Sequence, residues 1–359
     1  MRPGVGVGVR CLPGGGGDGT ATTTLDRPAW AAGSSTGLSR LVNAVIASPV
    51  YPLMKKGARD TLISTAEKNG IAWRKEAERL RQVEASTLEP LQRRLEDPGV
   101  SYPDYYTRPF HAYAEGNLSW LAARECESAT MSMALRVWKD EVKAGTLGAA
   151  AAQERLRSSF LACVEEYRAE VLGDEGAAVP GAVLDVGCSV GMSTQYAAAR
   201  WPTSRFTGLD LSSYFLAVAA HREAEAGPGG WGALGADGTP GVTWRHGNAE
   251  ATGLDADSLD LTSLCFVFHE CPDSATRAIM AEMHRVLRPG GTLALTDNNP
   301  RSPVIQNLPP VLFTLMKSTE PWSDEYYAFD MEQALRDVGF THVRTVNTDP
   351  RHRTVLGTK

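Results

Sequence analysis

Residues 183–194, VLDVGCSVGMST, run from a short apolar stretch through a glycine turn into a helix start. At the head of a parallel sheet that arrangement holds a nucleotide-like ligand. A dinucleotide fingerprint would need glycine at 187, 189 and 192, whereas this chain has Gly187, Ser189 and Met192, with its other glycine at 191. Pyrophosphate needs bare backbone amides at close approach, so the nicotinamide reading fails, and a ligand without phosphate tolerates a side chain in the turn. Ser189 could donate to a ligand carboxylate. Asp210 ends the next apolar run, RFTGLD, 25 residues beyond Asp185. A carboxylate there accepts both hydroxyls of an unphosphorylated ribose. Together these residues describe an adenosine ligand with an amino-acid tail.

A second group of reactive side chains follows LDLTSLCFVF (259–268), where His269 and Glu270 stand at the end of a strand. Strand ends of that polarity open onto the ligand crevice of a parallel sheet. His269 is the best-placed general base in the chain, Glu270 is expected to orient its imidazole or cap the next helix, and His111 is a second candidate. The six cysteines, at 11, 126, 163, 188, 265 and 271, form no CxxC pair and no four-ligand zinc spacing. No structural metal and a reducing compartment are therefore expected, and Cys188, Cys265 and Cys271 read as small buried side chains.

These residues need a scaffold, and the pattern supplies an α/β one. After Pro180, apolar runs VLDVG, RFTGLD, VTWRHG, LDLTSLCFVF and TLALTD alternate with helical segments, and THVRTVN and RTVLGT close the chain as a hairpin. Before it, residues 149–172 carry Leu156, Phe160, Val164, Tyr167 and Val171 on one helical face, which should pack on the sheet. Residues 73–97 form a charged, solvated helix that Pro90 should end or kink. Between these helices, Tyr102, Tyr105, Tyr106, Phe110, His111, Tyr113 and Trp120 crowd into one segment. The glycine-rich stretch 227–241 reads as a flexible surface insertion.

At these residues the chain resembles the class I S-adenosylmethionine-dependent methyltransferases, in particular the ubiquinone and menaquinone C-methylation type. Asp185, Gly187, Ser189 and Gly191 resemble the family's D-x-G-x-G-x-G motif with Ser at the middle glycine, and GLDLS (208–212) resembles the segment with the ribose-binding acid. RHGNAE (245–250) resembles the adenine-holding segment, with Asn248 where the family usually has Asp; an amide oxygen still accepts from the adenine amine. DADSLDLTSLCFVFHE (255–270) and RVLRPGGTLALTD (285–297) resemble the fourth strand and the turn into the fifth. The resemblance implies a Rossmann-like seven-stranded sheet, mostly parallel, and S-adenosyl-L-methionine as cofactor. It implies cofactor contacts at Asp185, Gly187, Cys188, Ser189, Gly191, Asp210, Leu211, Asn248, Ala249 and Phe266. Methyl transfer to a small, aromatic or prenylated acceptor is then expected. Acceptor specificity is expected from the aromatic segment and from residues 302–327, whose Leu308, Leu312, Phe313, Leu315, Met316, Trp322 and Tyr326 suggest an apolar wall. The alternatives are a protein side chain as acceptor, or a catalytically silent scaffold on the same fold.

Composition bounds the rest. With 43% hydrophobic and 22% charged residues, the 359-residue chain is of ordinary globular composition, neither disordered throughout nor collagen-like. Its first fifty residues hold four Arg, two acids and many Gly, Ser and Thr, which reads as an organelle transit peptide, for the chloroplast or alternatively the mitochondrion. The expected organisation is a transit peptide over 1–48, a helical cap over 49–175 and the methyltransferase domain over 176–359. The formal charge of −6 argues against a nucleic-acid partner. Peripheral membrane contact stays open, and the sequence leaves the oligomeric state undetermined.

Overall fold

The computed structural model describes residues 12–13, 28, 48, 51–111, 113–227, 231, 242–309 and 316–359. The expected transit peptide therefore lies almost wholly outside the described residues, as does most of the glycine-rich stretch. One residue of that stretch, Trp231, is buried, packing edge-on against Trp244 at 5.9 Å between ring centres. It is an anchor within a segment expected to be a free surface loop.

Seven strands build the sheet: β1 (Ala182–Val186), β2 (Arg205–Asp210), β3 (Val242–His246), β4 (Leu259–Cys265), β5 (Leu287–Asn298), β6 (Thr341–Asn347) and β7 (His352–Thr358). Their order is β6-β7-β5-β4-β1-β2-β3, with the two residues Leu12–Pro13 pairing antiparallel outside β6. Strands β1 to β5 pair in parallel, and β7 runs antiparallel to both its neighbours, which is the expected closing hairpin. The chain steps from β1 out to β2 and β3 and then returns to place β4 on the other side of β1. The switch leaves a crevice above the carboxyl ends of β1 and β4, where such sheets bind ligands.

The helical half comprises α1 (Tyr51–Lys68), α2 (Trp73–Gln82), α3 (Glu89–Leu95), α4 (Trp120–Val137) and α5 (Ala149–Leu172). Helix α5 buries Leu156, Phe160, Val164 and Tyr167, as its spacing predicts. Each of its fully buried aliphatic or phenyl side chains contributes about 1.5–3 kcal/mol. Phe160, Val164 and Tyr167 pack with Val183, Phe206 and Leu261 of the sheet, while Leu156 packs with Ile63, Trp73 and Leu135 of the cap. One helix thus belongs to both cores. Near Pro90 the break falls a turn earlier than the proline: residues Glu84–Leu88 form a wide π turn, and Pro90 occupies the first turn of α3. A proline at 90 has no N–H for the carbonyl of Ser86, and the wider turn before it absorbs that loss.

On the opposite face of the sheet lie α8 (Asp273–Val286) and α10 (Met331–Val338), with α6 (Met192–Arg200), α7 (Ser213–Glu225) and α9 (Ser323–Ala328) completing the helices used below. Cys126, Cys188, Cys265 and Cys271 are free, but Cys163 is disulfide-bonded, which departs from the fully reduced state expected of the sequence. Among the described residues no helix is long and apolar enough to cross a membrane.

Candidate active site

The turn after β1 is shaped by backbone requirements. Gly187 and Gly191 take φ of 62° and 77°, and a Cβ at Gly187 would stand 2.7 Å from Val267 Cγ2. A side chain at 187 would have to displace Val267 and take a left-handed backbone that glycine adopts without cost. Ser189 also takes a left-handed φ of 52°, which costs a residue with a Cβ about 1–2 kcal/mol. Its backbone N–H donates to Asp210 Oδ2 at 2.8 Å, which repays part of that strain.

Asp185 is buried, with both oxygens engaged by neighbouring hydroxyls. Its Oδ2 accepts from the hydroxyls of Ser193 and Thr194, both at 2.6 Å, and its Oδ1 from Ser263 at 3.0 Å. The carboxylate ties the start of α6 and strand β4 to β1, so it positions the turn. Asp210 stands at the end of β2, accepting from Ser189, from Ser212 N–H at 2.7 Å and from the Tyr106 hydroxyl at 3.4 Å. Burial pushes its carboxyl up to about 6, against those donors. Leu211 and Cys188 are buried beside it, and Cys126 of α4 places its thiol 3.0 Å from the Ser189 hydroxyl. Asn248 Oδ1 accepts from Glu250 N–H at 2.9 Å, and its second lone pair is left for a ligand donor. Ala249 is half-buried next to it. Phe266 follows β4 with φ of 63° and sets its ring against His352 at 5.0 Å between centres.

The other half of the site gathers around His269. It lies in a short 3₁₀ turn after β4, and its Nδ1 lies 2.9 and 3.1 Å from the two oxygens of Asp297, at the end of the neighbouring strand β5. Burial opposes charge on this imidazole, yet Asp297 prevails and holds it up to about 10. Asp297 is correspondingly held below the ordinary carboxylate range although it is buried. The orienting carboxylate is therefore Asp297, which corrects the expectation for Glu270. Glu270 points the other way, because the turn places it under the cap: Asn117 donates to its Oε2 at 3.0 Å, and His111 Nδ1 lies 3.8 Å from its Oε1. Nor does it cap α8, whose first amide, Asp273 N–H, donates to Glu325. Burial pushes Glu270 up to about 8, with His269 opposing. His111 is shifted down by burial and, after it, by the charge of His269.

The aromatic segment divides between the two halves. Tyr102 bonds the ring of His246 at 3.2 Å, Tyr105 donates to Glu250 at 2.8 Å and Tyr106 to Asp210, so three of its tyrosines close over the cofactor side. His111 of the same segment turns toward His269 instead, with Phe110 against it and the His111 and His269 rings 6.2 Å apart. Of the later stretch, Leu308, Met316, Tyr326 and Tyr327 pack into one apolar cluster, and the Tyr326 and His269 rings meet edge-to-face at 6.3 Å between centres. Leu312, Phe313 and Leu315 lie outside the described residues.

The sequence marks Tyr106 only as one of an aromatic cluster and does not single out Asp297 or Asn117. Asp297 has a signal, since TLALTD ends beside the end of β4, with Thr296 opposite Cys265; the other two depend on how the cap folds back.

The methyltransferase domain family matches residues 183–291. An uncharacterized methyltransferase of Synechocystis is 30% identical over 163 residues, covering 45% of this chain and 68% of that protein. Trans-aconitate 2-methyltransferase of Azoarcus is 34% identical over 113 residues, 32% of this chain and 37% of that protein. Demethylmenaquinone methyltransferase of Listeria monocytogenes is 32% identical over 118 residues, 33% and 44% respectively. The chain thus spans less than half the length of the last two. Strand order, the glycine turn with its ribose-side acid, and the extent of the Synechocystis match lead to one assignment: the chain belongs to the class I S-adenosylmethionine-dependent methyltransferases.

Proposed function

We propose that the protein transfers the methyl group of S-adenosylmethionine to a small aromatic or prenylated acceptor bearing an ionisable hydroxyl. The observation that carries this reading is the His269 and Asp297 pair, buried beside an apolar wall of Met316, Tyr326 and Tyr327. The acceptor oxygen or ring carbon attacks the methyl carbon from the side opposite sulfur, the carbon–sulfur bond breaks, and the sulfonium becomes a neutral thioether. The proton leaves to His269 Nε2, whose other nitrogen is held by Asp297. Orientation of the two reactants supplies roughly 7–11 kcal/mol of the barrier reduction.

A carboxylate acceptor is the second reading, favoured by the charged imidazole, which would bind an anion that has no proton to lose. The first forty-eight residues, poor in acids, support import into the chloroplast, with the mitochondrion as alternative.

Calorimetric titration with S-adenosylmethionine, followed by a labelled-methyl screen of phenols, prenylated hydroquinones and dicarboxylic acids, tests the assignment. Transfer to a phenol or hydroquinone, reduced at least tenfold in His269→Ala with unchanged cofactor affinity, is the expected result. Cofactor binding without transfer to any of these would leave the scaffold reading. A fluorescent fusion of residues 1–48 that stays in the cytosol would refute import.

A further inference from the structure

Three side chains that the sequence places far apart meet at the acceptor end of this pocket: His111 from the cap, His269 after β4, and Glu320 just before α9. Each offers one donor atom, and the three atoms lie within 4.8 Å of one another. From this geometry we propose that His111, His269 and Glu320 form a binding site for a divalent transition-metal ion of the zinc and cobalt class. The absence of CxxC or clustered cysteine spacing says nothing against a site of this kind, because none of its ligands is a thiolate.

Four features support it. The backbone N–H of His111 donates to the carbonyl of Thr319 at 3.0 Å, which fastens the cap loop to the residue adjoining Glu320 and fixes two ligands relative to each other. His269 gives its Nδ1 to Asp297, so Nε2 is the nitrogen left for an ion. A carboxylate behind a histidine in this way fixes tautomer and ring orientation at metal sites. Glu320 Oε2 is shielded from solvent and has no hydrogen-bond partner, a costly state for a carboxylate oxygen that an ion would relieve. His111 holds a left-handed φ of 48°, a strained backbone of the sort retained where a side chain must be placed.

Two imidazoles and one carboxylate suit zinc, cobalt or iron(II) better than magnesium or calcium, which prefer oxygen alone. At bond lengths of about 2.0–2.2 Å the donors of a tetrahedral site stand roughly 3.3–3.6 Å apart, so donor atoms now within 4.8 Å of one another would draw in by up to about 1.5 Å. Three protein ligands leave one position open for an acceptor oxygen or water. The nitrogen that would bind the ion is the one given above to the acceptor's proton, so the two occupants compete; only this consequence rests on the proposed function.

The test uses the full chain, stripped of metal and titrated with Zn²⁺ by calorimetry beside a parallel titration with S-adenosylmethionine. One site is expected, weakened at least tenfold in His111→Ala and in Glu320→Gln with cofactor affinity retained, and unchanged in His284→Ala. Co²⁺ loading should give visible absorption without a thiolate charge-transfer band. Full Zn²⁺ affinity in both ligand variants, absence of stoichiometric binding, or a thiolate band would each overturn the metal site. Loss of S-adenosylmethionine binding by the wild-type chain would instead count against the methyltransferase reading alone.

Discussion

The cofactor half and the acceptor half of the site are built in opposite ways. On the cofactor side, Gly187, Ser189, Gly191 and Asp210 come from two consecutive βα turns, and parallel pairing of β1 with β2 brings them together. The acceptor side draws His111, Asn117, His269, Asp297 and Glu320 from the cap, two strand ends and the stretch before α9. The first half is local and tolerates change elsewhere; the second exists only when the whole chain has folded.

The sharpest way to break that contrast is at Asp297. Asp297→Ala removes one partner of a buried ion pair and should cost about 3–5 kcal/mol of stability at pH 6, read from denaturant midpoints. Because the pair raises His269 in the folded state, its contribution is complete below the imidazole's ordinary 6.5 and is lost as pH rises through about 10. The deficit of the variant should therefore shrink across that window, and a deficit independent of pH would refute the pair as its cause.

The next effect is catalytic. At neutral pH the base form of His269 is the minor one, so transfer to a phenolic acceptor should increase by roughly 50- to 100-fold from pH 7 to pH 9 at saturating cofactor. A profile that falls over the same range would favour the carboxylate acceptor.

Asp210→Ala should weaken S-adenosylmethionine binding roughly 10- to 100-fold, the equivalent of about 1.5–3 kcal/mol for hydrogen bonds to a charged group, with a melting temperature near that of the parent. An unchanged affinity would take the ribose away from this residue. The smallest change is expected for Tyr106→Phe, which deletes one 3.4 Å bond to Asp210; cofactor affinity should move by less than about fivefold. A larger loss would make Tyr106 part of the cofactor contacts themselves.

The same contrast explains what could be read from sequence. Strand runs, the helix over 149–172 and the glycine turn are legible because each depends on side-chain period or on a backbone φ within a few residues. His269 was found because strand polarity places it at the crevice. Adjacency in sequence offers Glu270 as its partner or as a helix cap, whereas the 3₁₀ turn sends that carboxylate under the cap domain and leaves the imidazole to Asp297 of β5. The tyrosines of the aromatic segment were visible as a cluster, but their division between cofactor and acceptor sides follows from hydrogen bonds to Asp210, His246 and Glu250. No pattern in one segment encodes those.

Tyr106 on Asp210 and Cys126 on Ser189 have a kinetic meaning. Both lie on the cap, and both cover the place where the ribose and amino-acid tail of the cofactor would lie. Spent S-adenosylhomocysteine can leave, and a fresh methyl donor arrive, only when the cap lifts. Each catalytic cycle then contains one cap opening that no acceptor chemistry can shorten, and the frequency of that opening is an upper limit on turnover.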